Sequence, residues 1–213
     1  MPQDPEPGRL WDEYQWERFL QQQDQKTERY MELLEKYIDD PNRDQIIARE
    51  MGWSHIADDE EDWAEEVDAA FEEEIEDGEA EQEEEEDGFE MHPLYQTSFT
   101  LTVWIDEMLD EMGEMQNHPA AVKLATHSAI ASAKLAAALS DDDIDELGMT
   151  IAYLKRALKA VTVAMEAALQ LEKVAHMDLK RAGTLHHRLF QVRDGIIVLM
   201  GEHRAEWRRR YGA

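Results

Sequence analysis

Ile144, Leu147, Ile151, Leu154, Leu158, Val161, Met165 and Ala168 recur three and four residues apart without a miss. A spacing that averages 3.5 residues keeps one stripe of a helix facing its neighbours along its whole length, and no strand can bury that pattern. This part of the chain is helical and needs apolar helices beside it. Leu185, Leu189, Val192, Ile196 and Leu199 draw a second seam, which Phe190, Ile197 and Met200 are expected to widen.

Pro93 and Pro119 each mark a helix start, because the missing N–H has no intrahelical partner at the first helical position anyway. The helix from Pro93 is expected to reach about residue 115 and to bury Leu94, Leu101, Ile105, Met108, Leu109 and Met112. Residues 99–103 (Phe-Thr-Leu-Thr-Val) also alternate as a strand would. The helix from Pro119 to about Leu139 is rich in small residues, among them Ala125, Ser128, Ala129, Ala131, Ser132 and Ala136, so a neighbour can approach it closely. Ser140 and the three aspartates after it open the third helix. Asp178 is the favoured N-cap of the last helix. Gly183-Thr184 and an unbroken helix are the alternatives. Four helices with short connections form an antiparallel up-down-up-down four-helix bundle over residues 91–213.

The first half reads as a series of smaller pieces. Residues 1–9, with Pro2, Pro5, Pro7 and Gly8, form a disordered tail. Residues 10–53 carry two helices. The first, from about 10 to 38, is aromatic at Trp11, Tyr14, Trp16 and Phe19 and then striped at Tyr30, Leu33, Leu34, Tyr37 and Ile38. Asp40-Pro41 reads as the cap and first position of the second helix, which carries Ile46, Ile47 and Met51 and stops at Gly52. Residues 54–77 form an acidic amphipathic helix in which Trp63, Val67, Phe71 and Ile75 recur every four residues. Residues 78–90 are an acidic disordered linker. The expected class is thus all-α, the bundle being preceded by N-terminal helices and an acidic, partly disordered segment.

Charge adds the second constraint. The 73 residues 50–122 hold 27 aspartates and glutamates and no lysine or arginine. The whole chain has 50 acidic and 21 basic residues, a formal net charge of -29, so the remainder carries 23 - 21 acidic, or -2. One segment therefore holds nearly all the field, and an electrostatic role toward something basic follows. The basic counterpart within the chain is its last helix, ending in Arg208-Arg209-Arg210 between Trp207 and Tyr211.

Several chemistries fail at the level of residues. There is no cysteine, hence no disulfide, thiolate metal site or cysteine nucleophile. No Glu stands three residues before any of the eight histidines, so the Glu-x-x-His pair of di-metal bundles is absent. Glu172 with His176, four residues apart, could share a metal, as could Glu202 and His203 with an acidic neighbour. Hydrolase and phosphate-loop signatures are missing, and no basic leader or membrane-length apolar run is present.

Arg181-Ala-Gly-Thr-Leu-His186 resembles the Arg-x4–6-His pattern of the HEPN ribonucleases, which are also all-helical. The resemblance implies a nuclease pair at Arg181 and His186. It covers six residues, and Ala182 stands where that family usually has a polar residue. Arg181–His187 and Arg49–His55 share the spacing, and about 1.5 such pairs arise by chance in a chain with 13 arginines and eight histidines.

The sequence therefore points to a non-catalytic protein-interaction or assembly module of the cytoplasm, without cofactor or metal. Its acidic segment docks a basic surface, on a partner protein or on its own C-terminal helix, with Trp63, Val67, Phe71 and Ile75 as apolar anchors. Homo-oligomerisation is open; nucleic acid and membrane are not expected partners. The alternatives are an enzyme or cofactor-binding bundle using His127, His176, His186 or His203, and an acidic mimic of nucleic acid.

Overall fold

A computed structural model of the chain describes residues 11–53, 88–140 and 147–212. Those residues are all-helical, with no strand among them. Six α-helices follow one another: α1 Glu13–Tyr37, α2 Arg43–Met51, α3 Pro93–Asp110, α4 Pro119–Leu139, α5 Leu147–Ala175 and α6 Leu179–Tyr211. The tail expected over 1–9, the acidic helix over 54–77, most of the linker over 78–90 and the helix start at 141–144 lie outside the described residues. No described helix is long and apolar enough to cross a membrane. The chain divides into two compact units, residues 1–18 with 86–213 and residues 19–85.

In the first unit α3 to α6 pack around one apolar core. Each helix touches the next, and α6 closes back on α3. Side-chain pairs give the directions. Arg181, at the start of α6, pairs with Glu111, just past the end of α3, while Gly195 further along α6 lies against Leu94 near the start of α3. His186 meets Glu172 across the α5–α6 turn, and Lys134 near the end of α4 lies over the Tyr153 ring near the start of α5. Consecutive helices thus run in opposite directions.

The helix starts are made locally. His92 and His118 are the N-caps of α3 and α4, each accepting through Nδ1 from the N–H two residues on, at 3.2 Å from Leu94 and 3.1 Å from Ala120. Each is followed by a proline at the first helical position. Residues 99–103, the strand alternative, lie inside α3. That helix stops at Asp110, and a 3-10 turn at Gly113–Asn117 takes the place of its expected last turn. Asp178 caps α6, its Oδ1 accepting from the N–H groups of Lys180 at 3.1 Å and Arg181 at 3.0 Å. His176, at φ 47°, takes the left-handed position that ends α5.

The core departs from the seam in one respect. Ile151, Leu154 and Val161 are buried, but Leu158 and Met165 are only partly so. Ala157, Ala160, Ala164 and Ala167 are buried beside them, and α4 contributes Ala120, Ala121, Ala131 and Ala138. The contact between α4 and α5 is the most extensive among the described helices. Small side chains on both helices allow it, so the buried face of α5 is wider than a two-position stripe and rotated toward alanine. Met200 joins the core as expected, but Phe190 and Ile197 are 41% and 44% exposed and do not widen it. Buried polarity is confined to hydroxyls. Ser98 Oγ and Ser132 Oγ share a hydrogen bond of 2.7 Å, Thr102 Oγ1 lies 3.1 Å from the same Ser132 oxygen, and Thr102 also donates to the Ser98 carbonyl.

In the second unit, Arg29 donates to the Glu50 carbonyl at 3.2 Å and the Tyr30 ring stacks on Trp53 with centroids 5.9 Å apart. Asp40 does not cap α2. Its side chain accepts from Asn42 N at 2.8 Å and its carbonyl from Arg43 N, an Asx turn that delays the helix past Pro41. Gly52, at φ 77°, ends α2 in the left-handed conformation that glycine adopts without strain.

Candidate functional site

Trp63, Val67, Phe71 and Ile75 lie outside the described residues. The described surface with the most organised charge is instead the face of the bundle that receives the start of α1.

That start is encoded over four residues. Asp12 Oδ1 accepts from the N–H groups of Tyr14 at 2.9 Å and Gln15 at 2.8 Å, and Gln15 Oε1 accepts from Asp12 N at 3.1 Å. This reciprocal capping box sets the helix running at Glu13. Glu13 and Glu17, one turn apart, then face cations of α5 and α6. Arg204 donates through Nε at 2.9 Å and Nη2 at 3.1 Å to the two Glu13 oxygens, and Lys155 Nζ lies 4.0 Å from Glu13. Arg156 Nε donates to Glu17 at 3.1 Å, and the Lys155 ammonium sits 4.6 Å from the Tyr14 ring centroid. A fork on a carboxylate is the strong form of this contact.

Gly148 of α5 explains how the segment comes so close. A Cβ there would overlap the Trp11 carbonyl and crowd the Trp16 ring. Trp11 and Trp16 meet edge to face with centroids 5.1 Å apart above it. Inside a helix glycine is less stable than alanine by about 0.5–1 kcal/mol, so its use on a buried face implies a neighbour that needs the space. Glu13, Glu17 and Gly148 are absent from a reading by local pattern. The available signals were the Asp12-x-x-Gln15 box, and a pair of tryptophans in an otherwise polar helix start.

Five of the other seven cations of α6 have side-chain partners among the described residues. Arg181 pairs with Glu111, Arg193 with Asp194, and Arg209 and Arg210 with Glu206. Hydrogen bonds from Arg209 and then Arg210 hold the Glu206 carboxyl down to about 2. Arg188 stacks on the Trp104 ring at 4.8 Å.

Compared with protein-family models, curated proteins and solved structures, the chain matches none. Function has to be read from its own residues.

The described histidines are not brought together into one site. Glu172 takes His186 at 3.1 Å as its partner, not His176, which is exposed in the turn. His127 is half-buried on α4. Arg181 and His186 are five residues apart, about 140° around a helix, and they point to Glu111 and Glu172 on different neighbours. The nuclease pair does not form. Among the described residues no three metal-ligating side chains converge. An open groove of about 550 Å³ runs between α3 and α6, lined by Gln96, Thr97, Thr100, His187, Arg188 and Gln191.

His203, near the end of α6, has a lowered affinity for protons. Burial lowers its pKa from 6.5, with His92 adding to the effect and Glu202 and Glu206 opposing it. The unfolded chain therefore takes up this proton first on acidification. The contribution of neutral His203 is complete above its unfolded value and declines as pH falls through about 6.5 toward the folded one. His203→Gln should flatten the loss of stability between about pH 7.5 and about pH 5.5. Equal urea midpoint shifts in variant and wild type would count against this.

Proposed function

We propose that the protein is a non-catalytic interaction or assembly module whose acidic segment docks a basic surface on a partner protein. One observation carries this reading: 27 acidic side chains and no lysine or arginine in residues 50–122 of a chain otherwise near charge balance. Like charges at that density repel in any compact isolated state, so they favour a basic acceptor or water. Within α6, Arg181, Arg188, Arg193, Arg204, Arg209 and Arg210 have partners among the described residues. A bundle core of leucine, isoleucine, valine and alanine, polar only at hydroxyls, supports a scaffold over a substrate-binding interior.

The test is capture and identification of the partner from the native cell, followed by titration of the purified pair with salt. Affinity should fall steeply between about 0.1 M and about 1 M salt, as the Debye length shrinks from ~10 Å to ~3 Å. Trp63→Ala with Phe71→Ala should weaken binding at every salt concentration, because the apolar contribution is not screened. Deleting residues 79–87 should reduce the salt dependence. If the deletion changes neither affinity nor its response to salt, the acidic run is a solvated linker and the reading fails.

A further inference from the structure

The outer side of α3 and α4 carries an exposed apolar face, on a chain of formal net charge -29. On α4 the exposed row is Val122, Thr126, Ala129, Ile130 and Ala133, spaced four, three, one and three apart and hence on one side of the helix. Val122 is 51% exposed and Ile130 37%. On α3, Phe99 and Val103 are 53% and 42% exposed. Each follows by one residue a hydroxyl that meets Ser132 of α4, Ser98 or Thr102. Each therefore stands about 100° further round, just outside the contact between the two helices. The two rows are neighbours and form one patch. Contiguous exposed apolar surface marks an interaction site.

Charge at the two edges says what fits there. Asp106 and Asp110 continue the row of Phe99 and Val103 at spacings of three and four, and both are exposed. Lys123 lies on the opposite edge, three turns of α4 before Lys134, which leans over Tyr153 of α5. The side chains of Asp106, Asp110 and Lys123 have no hydrogen-bond or ion-pair partner among the described residues. α3 and α4 run in opposite directions and are aligned where Ser98 and Thr102 meet Ser132. Nine residues before Ser132, Lys123 is thus level with the turn from Asp106 to Asp110. We propose that this face docks a second copy of the chain, in a twofold dimer whose axis runs parallel to α3 and α4. Such an axis preserves height and exchanges the edges. Each Lys123 then meets Asp106 and Asp110 of the other copy, and the small side chains of the two α4 rows meet at the centre. Acid and base at one height on opposite edges make the face complementary to itself. The proposal goes beyond the docking of a basic partner. Deleting residues 79–87 tests that docking and leaves this face intact, so either can fail alone.

The experiment is sedimentation equilibrium of the full chain at about 0.15 M salt. A Debye length of ~8 Å then screens long-range repulsion between copies and leaves close pairs effective. Between about 1 μM and about 100 μM the mass should rise to twice that of the monomer. Ala129→Arg should raise the dissociation constant about tenfold or more, because it puts two cations at the centre of the face. Arginine suits an exposed helix position, so this variant should still melt cooperatively. Thr126→Arg, on the same face, repeats the test should it not. Lys123→Glu should weaken the dimer about tenfold, and so should Asp106→Lys with Asp110→Lys. The three together should restore it to within about threefold of wild type, because the edges have exchanged charge. A monomer at about 100 μM overturns the proposal. So does a dimer that Ala129→Arg and Thr126→Arg leave unchanged, since its interface lies elsewhere. A triple variant no tighter than its parents rules out the parallel axis and overturns it as well.

Discussion

Leu154→Ala should destabilise the chain by about 2–5 kcal/mol, the range for truncating a fully buried leucine whose site cannot collapse. Leu154 is 0% exposed in the first third of α5, with core residues on both sides of it along the helix. Leu158→Ala should cost clearly less, because Leu158 is only partly buried. Sequence periodicity gives the two positions equal weight, so the pair separates packing from pattern. Urea unfolding with an unchanged m-value is the measurement. A loss below about 0.5 kcal/mol at Leu154, or equal losses at both, would mean that the helix is rotated from the described orientation.

The opposite change should also be costly. Ala164→Leu places three extra carbons at a site with no exposure. Overpacking of this kind typically costs about 1–3 kcal/mol, and more where two backbones are held close. The matched control is Leu169→Ala on the same helix. Leu169 is 49% exposed, so its truncation should fall within about 0.5 kcal/mol of neutral. If Ala164→Leu were as mild as the control, the alanine face of α5 would not be closely packed.

Much of this architecture is written locally. Proline at 93 and 119 marks two helix starts, the alanine and serine run gives α4 its bounds, and Asp178 fixes the break before α6. Each works through a few neighbouring residues. The misses share a cause. Leu158, Met165, Phe190 and Ile197 were expected inside because large apolar residues dominate a periodicity, whereas alanine carries little weight in it. Here alanine marks the closest helix contact, and the large side chains were displaced toward the rim. The delayed start of α2 has a different origin: Asp40 can cap a helix or close a turn, and Pro41 suits both. The charged contact at the start of α1 was illegible because its pairs join residues 191 and 139 positions apart. No local pattern connects Glu13 to Arg204. The stripe at Trp63, Val67, Phe71 and Ile75 lies outside the described residues.

The three hydroxyls of Ser98, Thr102 and Ser132 bear on which alignments of α3 and α4 the chain can tolerate. A face made of alanine is smooth. Against such a face on α4, the large side chains of α3, which has no alanine, would meet similar methyl groups after a shift of one turn, so dispersion alone discriminates weakly between alignments. A shared serine oxygen does discriminate. Sliding α3 by one turn, about 5.4 Å, would carry Ser98 and Thr102 away from Ser132 and strand hydroxyls among apolar neighbours, at about 1–3 kcal/mol for each one left unpaired. The cluster acts as a detent: it adds modestly to the depth of the native minimum and more to the height of its nearest rivals.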